Sequence, residues 1–175
     1  MKNFCFCIIA IIIFFSSVDI ANASGNKERY IEKKGNFSIT IPEKWEIFIL
    51  KEYKYKLLKQ SEVNNSYTPL INFADEAFEG SIDEYTEYFM EELEKLLVEN
   101  IEYLFFSEIK TSNGLNGKLI VITTFQQEML LQLNYFIFQK NENEYLIITC
   151  SSLANESAKY IELFVNTVRT LEWIK

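Results

Sequence analysis

The side chains that could carry chemistry in this chain are limited first by what is missing, because the sequence contains no histidine. That absence excludes Ser-His-Asp and Cys-His catalysis, and also the histidine-ligated sites of zinc, copper and non-haem iron. Cys5 and Cys7 lie in an apolar N-terminal run, so Cys150 is the single cysteine of the remaining chain and cannot build a cysteine zinc site. Because Cys150 follows Ile147 and Ile148, we expect a small buried residue and not a nucleophile.

The most regular set of carboxylates lies on a predicted helix from Ser81 to Glu99. On a helical wheel four of them share the outer face and form an acidic stripe: Asp83, Glu87, Glu91 and Glu94. Hard cations such as Ca²⁺ and Mg²⁺ take oxygen ligands, but the side chains of one straight helix cannot surround an ion, so no metal site is predicted. An ordinary solvated face is the simplest interpretation. Like charges at this spacing disfavour a helix by a few tenths of a kcal/mol per pair, which makes docking of a protein partner with a basic surface the alternative.

Other Asp and Glu pairs could serve as acid and base, as in a glycosidase. No motif places two of them in a cleft, so the sequence predicts no catalytic residue and no cofactor. Two classes of function stay open. The first is a non-enzymatic binding or accessory protein, and the second is a small-ligand carrier or carboxylate-based enzyme with a pocket between sheet and helix. The absence of histidine and of any catalytic motif favours the first class.

Two amphipathic helices are predicted from their apolar periodicity. The first begins with a capping box made by Ser81 and Glu84. Its buried stripe is expected to consist of Ile82, Tyr85, Phe89, Leu93, Leu96 and Leu97. The second helix runs from about residue 155 to 171, and its stripe is Ile161, Phe164, Val165, Val168 and Leu171. Trp173 and Ile174 then suit a terminal segment that packs on the domain.

The stretch "GNFSITIPEKWEIF" predicts two consecutive strands separated by a tight corner. The first strand alternates Phe37, Ile39 and Ile41 with polar residues. Pro42 stops it, because proline lacks the backbone donor that a central strand needs. Trp45 then begins a second alternation, which Ile47 and Ile49 continue. We expect Trp45 to anchor the corner in the core, with stacking on a ligand as the alternative.

Later strands are separated by short turns, which indicates antiparallel pairing. They are predicted at 68–74, 101–111, 118–127, 129–140 and 145–152. In the strand at 101–111, Tyr103, Phe105 and Ile109 are expected on one side. Asn113-Gly114 and Asn116-Gly117 are residue types that tolerate positive φ in turns. The order β-β-β-α-β-β-β-β-α predicts an α+β fold: an α/β/α sandwich with a central antiparallel sheet.

The N-terminus has the pattern of a secretory signal peptide. Lys2 precedes an apolar run from Phe4 to Phe15, and Ala21-Asn22-Ala23 supplies the small residues that signal peptidase requires. Cleavage is expected after Ala23, which leaves 24–175 as one domain in the periplasm or outside the cell. A retained signal-anchor is the alternative, although the run is shorter than the ~20 residues that span a bilayer.

Charge is unevenly distributed along the chain. Residues 24–60 hold nine Lys/Arg and five Asp/Glu, whereas residues 61–102 hold one Lys and twelve Asp/Glu. Such an acidic protein is a poor candidate for nucleic-acid binding, which needs clustered cations. Residues 52–66 are interpreted as an exposed, mobile connection. The basic stretch "KEYKYKLLK", residues 51–59, overlaps the first half of this connection. Peripheral contact of the stretch with an anionic lipid or polymer surface is the alternative.

Taken along the chain, several segments resemble the PsbP-like superfamily. They are "FSITIP" running into "KW", "PLINFADEAFEGSIDEYTEYFMEEL", "TSNGLNGKLIVITT", "YFIFQKNENEYLIITCSS" and "YIELFVNTVRTLEW". The positions that match as structural anchors are Pro42, Trp45, Gly114, Gly117 and Tyr145. The superfamily includes photosystem accessory proteins, bacterial PsbP-related and DcrB-type envelope proteins, and a Ran-binding nuclear-import factor. The resemblance implies an accessory or binding role without an active site. The metal binding of photosystem members is not expected here, because the chain has no histidine ligand.

Overall fold

The computed structural model describes residues 28–49, 54–61, 67–97, 101–126 and 128–174. The predicted signal peptide and its cleavage position lie outside these ranges. Within them the strands are β1 Arg29–Glu32, β2 Phe37–Thr40, β3 Trp45–Phe48, β4 Leu57–Gln60, β5 Leu70–Ala77, β6 Ile101–Lys110, β7 Asn116–Gln126, β8 Met129–Asn141, β9 Glu144–Leu153 and β10 Glu172–Trp173, and the α-helices are α1 Ile82–Leu97 and α2 Ser157–Val168. No helix in these ranges is long and apolar enough to cross a membrane.

Seven of the strands form one antiparallel sheet in the order β3-β4-β5-β9-β8-β7-β6. The strands β9, β8 and β7 are long, and only two residues separate each of them from the next in the sequence, as the short spacers predict. The remaining strands form a small antiparallel sheet in the order β1-β2-β10. The large sheet therefore has two edges, β3 at one end and β6 at the other.

Each face of the large sheet buries its own apolar cluster. On one face, Tyr85, Phe89 and Leu93 of α1 cluster with Ile120 and Tyr135 of the sheet. On the other face, α2 and the small sheet together cover the strands, with Phe164 and Val168 of α2 in the same cluster as residues of β2 and β9. We call these the α1 face and the α2 face. The arrangement confirms the predicted α/β/α sandwich, with the small sheet sharing the α2 layer.

The corner between β2 and β3 carries the chain from the small sheet to the large one. The backbone N–H of Trp45 donates to the carbonyl of Pro42 at 3.2 Å, and Lys44 closes the turn with φ of 63°. Trp45 is buried, and its ring meets the edge of Phe164 at a centroid distance of 6.0 Å. A strand is broken at this point because its two halves belong to different sheets.

The expectation of a mobile connection over residues 52–66 is wrong for its central part. Leu57–Gln60 forms β4, which pairs with β3 and β5, and Tyr55, Leu57 and Leu58 are buried. The lysines between its apolar residues leave this stretch without a clear strand period. One of them, Lys59, binds the carboxylate of Glu46 at 3.1 Å, although its strand is paired on both sides. The end of "KEYKYKLLK", from Leu57 to Lys59, is therefore part of a strand of the sheet, and Lys54 before it binds Asp75 at 2.6 Å, so the described part is not a free basic segment.

Two further strands were not predicted, and both belong to the small sheet. β1 pairs with β2 over four residues, and β10 pairs Trp173 with Phe37. The predicted terminal segment thus packs by strand pairing. The second helix is shorter than predicted, since α2 is preceded by a 3₁₀ turn at Ala154–Glu156 and ends at Val168.

Of the two glycines predicted to lie in the turn after β6, Gly114 has the predicted role and Gly117 does not. Gly114 has φ of 92°, as a turn residue should, and a Cβ there would meet only the end of Lys110 at 3.9 Å. Asn113, Asn116 and Gly117 do not adopt positive φ. Gly117 lies inside β7, where a Cβ would come within 2.6 Å of the Phe138 ring, so this position is glycine because an aromatic ring occupies the space above it.

A β-bulge in β6 overturns the predicted facing of its side chains. Tyr103 pairs with Ile122 and Phe105 pairs with Val121, which leaves Leu104 as the extra residue. Ile122 belongs to the α1 face and Val121 to the α2 face. Tyr103 therefore points to the α1 face, while Phe105 and Ile109 point to the α2 face.

Candidate functional site

The acidic stripe lies on a helix whose start is fixed by the predicted capping box. The backbone N–H and hydroxyl of Ser81 donate to the carboxylate of Glu84 at 2.7 and 2.8 Å, and the Glu84 N–H donates to the Ser81 oxygen at 3.3 Å. These hydrogen bonds hold the pKa of Glu84 below its usual value. With Tyr85, Phe89 and Leu93 buried, the four stripe residues point outward and are all exposed.

Contacts at both ends of the stripe place α1 alongside β6. At one end, Lys118 of β7 binds Asp83 at 2.7 Å and Glu108 of β6 at 3.3 Å. At the other end, the Tyr103 hydroxyl donates to the Met90 carbonyl of α1 at 3.3 Å. Burial and the nearby carboxylate of Glu94 raise the pKa of Tyr103 to about 12. The stripe therefore borders the strand that ends the large sheet.

The acidic stripe is about as long as the part of β6 that lies between the two contacts. At 1.5 Å per residue, α1 rises about 16 Å from Asp83 to Glu94, and at ~3.3 Å per residue β6 spans about 16 Å from Glu108 to Tyr103. Glu87 falls between the contact points at Asp83 and Met90, and Glu91 directly follows Met90 on the same helical face as Glu87. The four carboxylates of the stripe thus lie beside about half of β6, from Tyr103 to Glu108.

The strand itself exposes four consecutive large apolar side chains. The exposed fractions are 39% for Tyr103, 47% for Leu104, 56% for Phe105 and 51% for Phe106. β6 is an edge of the sheet, with β7 as its one paired neighbour in the described residues. We call the outer side of β6 together with the acidic stripe the acidic-aromatic edge. Aromatic residues rimmed by charge are typical of protein-binding surfaces.

A second group of titratable residues lies under the start of α1, and it is structural. The Tyr85 hydroxyl donates to Glu76 at 2.7 Å, and the ring of Tyr85 stacks on Tyr145 with centroids 4.1 Å apart. Burial, supported by the charge of Glu92, raises the pKa of Glu76. Phe78 packs against both tyrosines, at 5.3 and 6.2 Å. These three rings pack against one another, so Tyr145 serves as a structural anchor between the sheet and α1.

The remaining candidates from the sequence are buried. Cys150 lies in the core of the α2 face as expected, and burial raises the pKa of its thiol well above the usual value, which leaves it unreactive. Among the described residues, no group of three or more acidic or cysteine side chains could hold a metal ion. A docking role for the acidic stripe itself stays a prediction.

Three buried polar atoms on the α1 face have no hydrogen-bond partner among the described residues. They are Oδ1 of Asn72, Oγ1 of Thr124 and the hydroxyl of Tyr135. Two of the three residues flank Thr149 in the sheet, Asn72 on β5 and Tyr135 on β8. Buried polar atoms of this kind are ordinarily satisfied by water or by a ligand.

One signal for the acidic-aromatic edge is present in the local sequence of β6. "YLFF" places four large apolar residues in succession, so at least one of them must lie on each face of a strand. Strands of this type are usually buried on both sides, and that reading holds for the neighbouring "LIVI" of β7. Strand order decides between the two cases, and strand order cannot be read from local sequence.

The sequence matches no protein-family model and no curated protein. Its structure, by contrast, is similar to several solved structures. LpqN, a protein involved in cell envelope biogenesis of Mycobacterium tuberculosis, has a TM-score of 0.63 at 10% identity, over 79% of this chain and 83% of that one. Cyanobacterial PsbP (CyanoP) from Synechocystis has a TM-score of 0.63 at 9% identity, over 89% and 98%. The Ran-binding protein Mog1p of Saccharomyces cerevisiae has a TM-score of 0.59 at 9% identity, over 87% and 97%.

These similarities establish the fold. The chain has a PsbP-like fold, as the resemblance of its sequence segments predicts. At about one residue in ten identical, they carry no site residue from one protein to another.

Proposed function

We propose that this protein is an exported, non-enzymatic accessory protein of the cell envelope that binds a partner protein through its acidic-aromatic edge. The observation that carries the proposal is the position of the acidic stripe directly beside an exposed aromatic strand. The apolar residues would supply binding energy, and the carboxylates would select a basic partner and speed its encounter. The proteins with similar folds support it, since LpqN is involved in cell envelope biogenesis and Mog1p binds Ran.

Export is part of the proposal and rests on the N-terminal sequence pattern. Cleavage after Ala23 would leave residues 24–175 as a single domain. N-terminal sequencing of the protein isolated from its own cells should then begin at Ser24. Recovery of Met1 in a membrane fraction would show a retained signal-anchor instead.

Partner binding is tested by affinity purification from envelope extracts at two ionic strengths. Glu87→Gln/Glu91→Gln removes the centre of the acidic stripe, whereas Glu142→Gln/Glu162→Gln removes two exposed carboxylates elsewhere, on the β8–β9 turn and on α2. The stripe variant should fold normally, since exposed like charges repel only weakly. Its partner recovery should fall and lose most of its salt dependence, while the matched control should behave as wild type. Equal recovery with all three proteins at both salt concentrations would reject the proposal.

A small-ligand carrier is the second candidate, and the unpartnered atoms of Asn72 and Tyr135 beneath α1 favour it. A ligand bound there would stabilise the domain by mass action. A metabolite library measured by thermal shift should contain a compound that raises the melting temperature of the wild type and not of Tyr135→Phe. Equal shifts in both proteins would place the ligand elsewhere.

A further inference from the structure

We propose that the acidic-aromatic edge binds its partner by strand addition: an extended segment, in which apolar residues alternate with Lys or Arg, pairs with β6 as an eighth strand of the large sheet. The inference rests on the proposed function, which requires binding at this edge but not this mode of binding. It commits to an amphipathic, cationic strand as the occupant.

The first observation is that residues 105–110 of β6 form a regular edge, whose outward side is paired with no other strand among the described residues. The bulge is confined to Tyr103–Phe105, and pairing with β7 is continuous from Phe105 to Lys110. Alternate residues of an edge strand direct their N–H and C=O groups outward. Edge strands are commonly protected by being short, by a bulge or by charge. β6 has a bulge and three charged residues, yet it is ten residues long and its central aromatic side chains stay exposed.

The two faces of this template differ in chemistry, and the difference defines the occupant. Phe105 and Ile109 lie on the α2 face with Ser107 between them, so this face is apolar. Phe106 and Glu108 lie on the α1 face, where Phe106 pairs with Ile120 and Glu108 with Lys118. An added strand continues both faces, and its alternate side chains must therefore match an apolar surface on one side and an acidic one on the other.

Charge on the α1 face selects a cationic side chain. The acidic stripe and Glu108 supply five carboxylates there, against the ammonium groups of Lys110, Lys118 and Lys95, the last of which is paired with Glu92 at 2.7 Å. Lys118 already lies 6.0 Å from the centre of the Phe106 ring, which shows that a cation can reach that ring from this side. Lys or Arg at alternate positions of an added strand would meet both the aromatic ring and the carboxylates.

The same charges argue against a second copy of this chain. Two β6 strands paired antiparallel about an axis perpendicular to the sheet would place both α1 helices on the same face. The two acidic stripes would then border one interface, and like charges facing each other oppose association. A heterologous cationic strand has no such conflict.

The test uses the whole protein and three synthetic peptides as probes. The first is a short capped peptide in which Val alternates with Lys. The second replaces every Lys by Glu, and the third keeps the Val-Lys sequence but carries N-methyl groups on alternate backbone nitrogens, which removes donors without changing charge. Binding is measured by fluorescence anisotropy at low and moderate salt, and the position of binding by hydrogen exchange of backbone amides.

The Val-Lys peptide should bind at least about tenfold more tightly than the Val-Glu peptide. N-methylation should weaken binding of the Val-Lys peptide by about tenfold. A factor of ten in affinity corresponds to one or two surface ion pairs or backbone hydrogen bonds. Protection from exchange should increase within Phe105–Lys110. Phe105→Thr/Phe106→Thr should lose most of the binding, whereas Ile47→Thr on β3, the other edge of the sheet, should not.

Four results would overturn the inference. Equal binding of the N-methylated peptide would show that the edge binds without strand addition. Protection away from β6 would show that the peptide binds elsewhere on the protein. The proposed function would survive either of these two results if Glu87→Gln/Glu91→Gln still lost its envelope partner. A dimer in sedimentation, dissociated by Phe105→Thr/Phe106→Thr, would identify a second copy as the occupant. Failure of all three peptides to bind would reject a cationic strand as the partner.

Discussion

The rings of Tyr85 and Tyr145 stack with their centroids 4.1 Å apart and their planes 13° from parallel. Tyr85 belongs to α1 and Tyr145 to β9, so this contact fixes the start of the helix against the centre of the sheet. The Tyr145 hydroxyl also donates to the carbonyl of Gly80, just before α1, at 2.5 Å. Because the acidic stripe begins at Asp83, one turn from this contact, the stack helps to set how the stripe lies along β6.

Replacement of Tyr145 should separate the two contributions of that side chain. Tyr145→Phe keeps the stacked ring and removes the hydrogen bond to Gly80, which should lower the free energy of unfolding by about 1 kcal/mol. Tyr145→Ala also removes the buried ring and should cost about 3–5 kcal/mol. Urea denaturation measures both. A Phe variant as damaging as the Ala variant would mean that the hydroxyl, and not the stack, holds α1 in place.

Trp45 should prove to be a core residue and not a binding platform. Its ring is buried against Phe164 of α2 and ties the corner after Pro42 to the α2 layer. We therefore expect Trp45→Ala to lower the free energy of unfolding by about 3–5 kcal/mol, with Trp45→Phe intermediate, because a smaller ring can keep part of the contact. A loss below about 1 kcal/mol, accompanied by loss of partner binding, would place the side chain on the surface instead.

Much of this fold could be predicted because the apolar residues of several elements repeat at a clear helix or strand spacing within a short stretch of sequence. The stripe through Tyr85, Phe89 and Leu93 repeats at helical spacing, and Ser81 with Glu84 marks where the helix begins. The alternation ending at Pro42 identified a strand and its limit. These features depend on residues close together in the sequence, where one pattern has one structural solution.

The features that were missed depend on residues far apart. β4 has a lysine-rich sequence whose burial comes from its neighbours β3 and β5, and β10 exists only because β2 is there to pair with it. The bulge at Leu104 is defined against β7, so no local pattern reveals it. The candidate site is of the same kind. The acidic stripe was recognised on the helix, but its neighbour β6 could be assigned only from the order of strands.

Two glycine-to-alanine substitutions should differ in their effects, because the two glycines are required for different reasons. In Gly117→Ala the new Cβ would lie 2.6 Å from a Phe138 ring atom and 2.7 Å from the Ile137 carbonyl oxygen. A ring can shift but a paired backbone cannot, so we expect a loss of about 1–3 kcal/mol in unfolding free energy. Gly114→Ala meets open space and should cost only the strain of φ at 92°, about 1 kcal/mol.

A double-mutant cycle identifies the clash at Gly117. Phe138→Leu should recover part of the loss in Gly117→Ala and none of the loss in Gly114→Ala, since residues in contact are coupled and separate ones are additive. Additive behaviour of Gly117→Ala with Phe138→Leu would show that the backbone of Ile137, and not the ring, sets the limit.

Glu76 should make the stability of the domain fall as pH rises. Burial raises its pKa in the folded protein above the unfolded value, so its contribution to stability is fully present below the unfolded pKa and is lost as pH rises through the folded pKa. At neutral pH the charged carboxylate is thus a burden on the fold, which Glu76→Gln removes while keeping an acceptor for the Tyr85 hydroxyl. The variant should melt at a higher temperature than wild type near pH 7, and the difference should vanish near pH 4, roughly the pKa of an unperturbed glutamate.

Tyr85→Phe is the complementary change, because the hydroxyl that it removes lowers the pKa of Glu76. Its loss should make the decline of stability with pH steeper. Thermal melts across this pH range decide the matter, and a Gln variant that gains nothing at pH 7 would show that water already solvates the carboxylate beneath α1.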